Sequence, residues 1–170
     1  MSIPSIELKR LYQLDKISHQ YQGLGQVLGT KLTDEPYRAE ARAAITAFTR
    51  DHGDIILGIG SRLNANPFEL ALAMVRYGLH VAELYVIPQP SDFFYIQRLA
   101  ELGPDIQLYM NLSPSMVNYA EDLSPVNFAL GVDAAYYHPH SRSVSWNDEQ
   151  QPFGYQAVRD LFTRMKEACS

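Results

Sequence analysis

The stretch from Asp54 to Ile87 constrains the fold of this chain more than any other part of the sequence. It reads DIILGIGSRLNANPFELALAMVRYGLHVAELYVI, so a short apolar run and a glycine-bearing loop precede a segment of helical length and a second apolar run. This order is typical of a β-loop-α-β unit, in which a crossover helix joins two parallel strands. Asn66 is a good N-cap, Pro67 suits the first helical position, and Gly78 suits the end of the helix.

The same alternation of strand and helix continues as far as Leu130. We therefore predict an α/β fold with a doubly wound, open parallel sheet of about four strands, right-handed crossovers and flanking helices. The expected strands are Ile55–Leu57, Val81–Ile87, Ile106–Met110 and Val126–Leu130, and the expected helices after the first unit are Phe93–Leu102 and Ser113–Glu121. The stretch Ser143–Trp146 is expected to be extended, and Pro152 opens a final helix.

The residues before the sheet form a helical lead-in. Ile6–Gln22 carries a helical stripe of apolar residues, and Gly23, Gly25 and Gly29 predict a break after it. A second helix is expected to begin at Asp34, Glu35 and Pro36 and to continue to Arg50. We divide the chain into a lead-in, residues 1–53, which packs on or extends from the domain, and an α/β domain, residues 54–170, which ends in a helix.

Composition excludes several classes of function. The 170 residues suit one domain, and 46% apolar residues can supply a core. A net charge of -5 disfavours a nucleic-acid partner, which needs a basic face. No apolar run approaches the ~20 residues that span a bilayer, and no signal peptide opens the sequence, so we expect a cytoplasmic protein without a membrane partner. The single cysteine, Cys169, excludes an internal disulfide and is expected to have no role.

The loop Gly58–Asn66 is the best candidate for a binding site, because ligands of open α/β sheets bind at the carboxyl ends of the strands. It starts like a dinucleotide fingerprint, but Leu63 stands where the third glycine belongs. Exposed amides near Gly60 and Ser61, together with the Arg62 guanidinium, suit an anion or a sulfide-rich cofactor. An ordinary βα loop with a surface arginine explains the same residues, and both interpretations stay open.

No catalytic or metal-binding residue is predicted in this chain. His138 and His140 form an H-x-H pair without a third ligand at recognisable spacing, and we interpret them as ordinary loop histidines. The neighbouring acids Asp148 and Glu149 are expected to be solvated.

Three motifs, in this order, resemble the nitrogenase component 1-type oxidoreductases, which include nitrogenase subunits, cofactor-assembly scaffolds and dark-operative protochlorophyllide reductases. The first is GIGSR at Gly58–Arg62 with the helix exit RYGLHV, similar to the glycine-glycine-arginine loop of that family. The second is LGPDI at Leu102–Ile106, and the third is QPFGYQAV at Gln151–Val158, similar to a carboxyl-terminal Pro-aromatic-Gly-aromatic helix start.

The resemblance implies that the chain is the carboxyl-terminal domain of a longer subunit. The arginine loop of the family contacts a cluster, and this role falls on Gly60, Ser61 and Arg62. Val144 stands nearest to the position of a histidine ligand, so that ligand is absent. The cluster-binding cysteines belong to earlier domains. The chain alone is therefore expected to bind no cofactor, and the parent complex to carry an iron-sulfur or related metal cluster.

Three hypotheses follow. In the leading one, the domain helps to wall a metal-cofactor or substrate cavity and has no turnover alone. Its partners are then other α/β domains of the subunit, a paired nitrogenase-like subunit and an ATP-dependent iron-sulfur reductase component. In the second, a flavodoxin-like module binds a nucleotide or flavin at Gly58–Asn66. In the third, the chain is a non-catalytic structural domain of a heteromer with the helices Ile6–Arg50 as its interface.

Overall fold

The structure, a computed structural model that describes residues 5–150 and 152–170, is built on a parallel sheet. Its strands are β1 Ile56–Gly60, β2 His80–Tyr85, β3 Gln107–Tyr109, β4 Phe128–Leu130 and β5 Arg142–Val144. They form one five-stranded sheet in the order β3-β2-β1-β4-β5, and every neighbouring pair is parallel. The predicted doubly wound α/β fold is confirmed. The fifth strand arises because part of the stretch expected to be merely extended pairs with β4.

Two helices precede the first strand, and the other four lie between or after the strands. The helices are α1 Leu14–Leu28, α2 Glu35–Asp51, α3 Pro67–Arg76, α4 Phe93–Leu102, α5 Val132–Tyr137 and α6 Tyr155–Cys169, and three 3-10 turns lie at Pro90–Asp92, Pro114–Asn118 and Glu121–Leu123. The start of α3 is the predicted one, because the Asn66 side chain accepts hydrogen bonds from the amides of Phe68 and Glu69, each at 3.0 Å. Gly78 follows the helix in the left-handed conformation, with φ of 85°.

The two faces of the sheet are covered unequally. One face carries the large core, in which side chains of β1, α3, α2 and α6 pack together, and each fully buried side chain such as Leu57 or Phe162 contributes about 1.5–3 kcal/mol. The opposite face has a small core around Tyr85, Ala129 and Ala134, covered by α5 and by the 3-10 turns Pro114–Asn118 and Glu121–Leu123. This thin face is therefore the part of the domain with least apolar cover.

The first predicted helix is wrong at its start, because α1 begins at Leu14 rather than Ile6. The carboxylate of Glu69, on α3, accepts the backbone amide of Tyr12 at 3.0 and 3.1 Å and that of Gln13 at 3.2 Å. Trp146 Nε1 donates to the Tyr12 hydroxyl at 2.5 Å. These tertiary bonds hold residues 5–13 without helix and fix the lead-in to the sheet domain.

Two further expectations are corrected. Gly23 and Gly25 lie inside α1, which ends only at Gly29, where φ is 64°. The expected helix Ser113–Glu121 is replaced by two 3-10 turns, because Tyr119 and its neighbour are extended and the Tyr119 side chain turns toward the sheet. Met1–Pro4 and Gln151, the first residue of the third motif, lie outside the described residues.

Within residues 5–150 and 152–170, no helix has the length and apolar character needed to cross a membrane.

Candidate functional site

The topological switch point of the sheet lies between β1 and β4. From β1 the chain winds outward to β2 and β3, and it then returns to add β4 and β5 on the other side. Ligands of open α/β sheets bind in the crevice at the carboxyl ends of such strands. The predicted loop is shorter here than expected, since Gly58 and Gly60 belong to β1 and pair with Glu83 and Tyr85 of β2, so the loop begins at Ser61.

The carboxylate of Asp133, in the first turn of α5, occupies the start of this loop. It accepts hydrogen bonds from the Ser61 amide at 2.8 Å, the Ser61 hydroxyl at 2.7 Å and the Arg62 amide at 3.0 Å. Asn111 Nδ2 donates to the same carboxylate at 3.0 Å. A Cβ on Gly60 would lie 1.9 Å from Asp133 Oδ1, so only glycine admits this carboxylate.

The three predicted site residues are consecutive, and the structure gives them different functions. The amides of Ser61 and Arg62 bind an internal carboxylate, and Gly60 provides the space for it. The Arg62 side chain is exposed, and its guanidinium has no hydrogen-bond or ion-pair partner in the described part of the chain. The guanidinium is thus the group of this loop that remains available to an external anion. The assignment of the three residues to a cofactor stays a prediction.

A second polar group lies under the thin face and was missed by the sequence prediction. Glu83 of β2 is 3% exposed, and its Oε2 accepts hydrogen bonds from the hydroxyls of Tyr85 and Tyr119, the latter at 2.7 Å. His138 Nε2 lies 3.2 Å from the same oxygen and 2.5 Å from the Tyr85 hydroxyl. We call Glu83, Tyr85, Tyr119 and His138 the buried tyrosine cluster. A glutamate inside the apolar run VAELYV was the available signal, because a buried charge needs partners.

The buried tyrosine cluster favours an ionised Glu83. Burial alone would raise the pKa of this carboxyl, but the hydrogen bonds from His138, Tyr85 and Tyr119 outweigh it and lower the pKa to about 2. Burial raises the pKa of Tyr119 to about 12. The pKa of Tyr85 is raised as well, by burial and by the Glu83 carboxylate beside its hydroxyl. The cluster therefore contains a buried anion and two neutral phenols at neutral pH.

The two histidines of the H-x-H pair have different environments. His138 lies in the loop after α5, but its side chain is 1% exposed and belongs to the buried tyrosine cluster, a burial that the sequence did not predict. The side chain of His140 is 88% exposed and lies 3.1 Å from a Glu121 oxygen. Asp148, expected to be solvated, pairs with Arg164.

The chain does not offer the donors of an iron-sulfur cluster. Such clusters are held by several cysteine thiolates, and the one cysteine, Cys169, is half-buried at the end of α6. Burial raises the pKa of its thiol, which disfavours the ligating thiolate. Val144, at the position expected for a histidine ligand, is a buried residue of β5. Among the described residues, no three His, Cys, Asp or Glu side chains are grouped to hold a metal ion.

No family model matches the sequence, and no curated protein sequence matches it either. The fold is similar to a solved structure described as nitrogenase Cp1 at pH 6.5, with a TM-score of 0.68 and 12% identity. The match covers 95% of this chain and 39% of that chain. At this identity the similarity shows the fold alone. The chain thus has a nitrogenase-like α/β fold and spans about two fifths of the length of the structure that it matches.

Proposed function

We propose that this chain is the carboxyl-terminal α/β domain of a nitrogenase component 1-like oxidoreductase subunit. In this role it helps to wall a metal-cofactor or substrate cavity that other domains complete. The observation that carries the proposal is the exposed Arg62 guanidinium at the switch point, without a partner in the described residues, in a fold similar to part of a nitrogenase chain. Arg62 supplies positive charge to the cavity, and Gly60 and Ser61 hold the loop in place.

Asp133 determines what this loop can accept. Its carboxylate already saturates the amides of Ser61 and Arg62, which a phosphate group would need. A phosphate would have to displace that carboxylate or sit beside its negative charge. This arrangement weighs against the nucleotide or flavin alternative. It favours a ligand that meets the Arg62 side chain from outside the loop.

The thin face supports the proposed neighbouring domains. Leu112, Val117 and Leu123 are 80%, 87% and 83% exposed, and the last two belong to the 3-10 turns that cover this face. Exposed apolar side chains grouped in one connection are typical of an interaction surface. A further α/β domain of the same subunit is the proposed occupant, because the matched structure is much longer than this chain. The paired subunit and an ATP-dependent iron-sulfur reductase component are proposed as further partners.

The test is purification of the protein from its native host under anaerobic conditions, followed by assay of iron and acid-labile sulfide. We expect the preparation to contain a cysteine-rich α/β polypeptide together with iron and acid-labile sulfide. Arg62→Ala should lower the iron content without lowering recovery of that polypeptide. Arg98→Ala, which removes an exposed arginine of α4 that pairs with Glu101, is the matched control and should change neither.

Two results would contradict the proposal. One is a preparation that contains no iron and no second α/β polypeptide. The other is saturable binding of FMN by the purified chain that Arg62→Ala removes, which would favour the flavin-binding alternative.

A further inference from the structure

We propose that the cavity beside Glu83 under the thin face is a binding site for a small organic cation with an ammonium or amidinium group. The cavity has a volume of about 290 Å³. It is lined by Glu83, Tyr109, Met116, Asn118, Tyr119 and Ser124, among others. Its volume is just below the range of about 300–1,000 Å³ that is usual for small-molecule sites, so the ligand is small. This site is separate from the Arg62 loop and does not rest on the proposed nitrogenase-like role.

One carboxylate oxygen of Glu83 accepts hydrogen bonds within the protein, and the other is available to a ligand. The hydrogen bonds from Tyr85, Tyr119 and His138 all converge on Oε2. No hydrogen bond from the described residues ends on Oε1, although the Ser124 side chain is near enough to favour the carboxylate. Glu83 lines the cavity while its side chain is 4% exposed. A ligand in the cavity therefore meets a desolvated carboxylate rather than a hydrated one.

The negative charge of the buried tyrosine cluster favours a cationic ligand. His138 Nδ1 is buried and has no hydrogen-bond partner in the described residues. A proton on Nδ1 would leave a buried N–H without an acceptor, so the neutral ring with its proton on Nε2 fits this environment. Tyr85 and Tyr119 are neutral phenols. The cluster therefore carries the single negative charge of Glu83, and His138 is the only basic side chain within ion-pair distance of it in the described chain. A bound cation would offset that charge.

The cavity walls suit an organic cation better than a metal ion. Tyr109 and Tyr119 stand edge to face, with centroids 5.4 Å apart and planes at 88°. Both rings line the cavity, where an aromatic face attracts an ammonium or guanidinium group. Met116 adds an apolar surface for the body of the ligand. A metal ion would need several ionic or imidazole donors, and Glu83 is the one carboxylate among the lining residues.

The same head group occurs on free amines and amidines and on the Lys and Arg side chains of a neighbouring domain. Benzamidine serves as the probe for a free cation, and benzamide is its neutral isostere. Acetyl-lysine methylamide and acetyl-arginine methylamide serve as probes for a protein side chain. Calorimetric titration of the purified chain at pH 7 with these four compounds distinguishes the two sources.

We expect saturable binding of benzamidine and at least roughly tenfold weaker binding of benzamide, because only the cation gains the attraction of a desolvated carboxylate. Glu83→Gln should weaken benzamidine binding by a similar factor. Glu121→Gln is the matched control, since that carboxylate contacts His140 outside the cavity, and it should bind as the wild type does. Tighter binding of either side-chain mimic than of benzamidine would assign the site to a neighbouring domain.

Tyr109→Leu keeps the test valid if Glu83→Gln fails to fold by circular dichroism. Tyr109 is half-buried and outside the hydrogen bonds of the cluster, so its loss removes one aromatic wall and should weaken benzamidine binding about threefold or more. The proposal is overturned if benzamidine and benzamide bind equally well. It is also overturned if no probe binds saturably below about 10 mM.

Discussion

Replacing Gly60 with alanine tests whether Asp133 organises the switch point. The added Cβ would lie 1.9 Å from Asp133 Oδ1, 2.6 Å from Asp133 Cγ and 2.9 Å from the Ala134 amide nitrogen. A carboxylate in its present place cannot coexist with that methyl group. The side chain of Asp133 must rotate away, and it then leaves the amides of Ser61 and Arg62 and the Ser61 hydroxyl.

The expected cost follows from these three hydrogen bonds and from the one that Asn111 donates to the same carboxylate. A hydrogen bond to a charged group contributes about 1.5–3 kcal/mol. Asp133 is half-buried, so water replaces part of what is lost, and we expect Gly60→Ala to lower the free energy of unfolding by about 3 kcal/mol. Asp133→Ala removes the same bonds and should cost about the same. In a chain of this size, that loss lowers the Tm by roughly 6–12 °C.

The double variant separates this account from a general effect of the methyl group. Without the Asp133 carboxylate, an alanine at an extended strand position is slightly favourable over glycine. Of the three nearest atoms, the Ala134 nitrogen at 2.9 Å then stays in place. The double variant should therefore lose about 3–4 kcal/mol rather than the roughly 6 kcal/mol of independent sites.

Urea unfolding followed by far-ultraviolet circular dichroism measures all four proteins. Gly78→Ala is the control, because a Cβ there meets open space and only its φ of 85° is unfavourable. It should cost about 1–2 kcal/mol. The reasoning fails if Gly60→Ala loses less than about 1 kcal/mol, or if the two single losses add to within about 0.5 kcal/mol.

Two buried carboxylates give further predictions. The pKa of Glu83, about 2 against an ordinary 4.5, contributes stability that is fully present above pH 4.5 and is lost as pH falls toward 2. The free energy of unfolding in urea should therefore fall more steeply between pH 7 and pH 2.5 for the wild type than for Glu83→Gln, with a difference of at most about 3 kcal/mol. Parallel pH dependences of the two proteins would contradict this. Glu69→Ala should cost about 3 kcal/mol and expose residues 5–13 to proteolysis, since the amides of Tyr12 and Gln13 lose their acceptor. Glu35→Ala, an exposed control, should stay within ~0.5 kcal/mol, and equal effects of the two changes would refute the role of Glu69.

The parts of the fold that were predicted correctly depend on local signals. The cap at Asn66, the proline after it and Gly78 are local signals that mark the limits of α3. The helix α4 also has the predicted bounds Phe93–Leu102. Alternation of apolar runs with helical segments then determined a parallel sheet, because parallel strands need a crossover between them.

The failures have tertiary causes. The stretch before Leu14 has helical periodicity, yet the carboxylate of Glu69, more than fifty residues later, accepts hydrogen bonds from backbone amides of this stretch. β5 has three residues, too few for a recognisable period. Glu83 meets Tyr119 and His138 only because the 3-10 connection and the end of α5 fold over β2. Partners 36 and 55 residues apart leave no spacing that a sequence motif can show.

The end of β2 connects the Arg62 loop with the cavity under the thin face. The backbone carbonyl of Tyr85 accepts a hydrogen bond from Asn111 at 3.1 Å, and the same amide group bonds Asp133, which holds the loop. The hydroxyl of Tyr85 belongs to the buried tyrosine cluster, and its ring stacks between Tyr109 and Tyr137. One buried residue thus contacts both the support of the Arg62 loop and the cavity beside Glu83. The position of Arg62 therefore depends on packing beneath the sheet edge. The loop sequence alone predicts the positive charge of the loop, but it does not predict the distant residues that hold the loop in place.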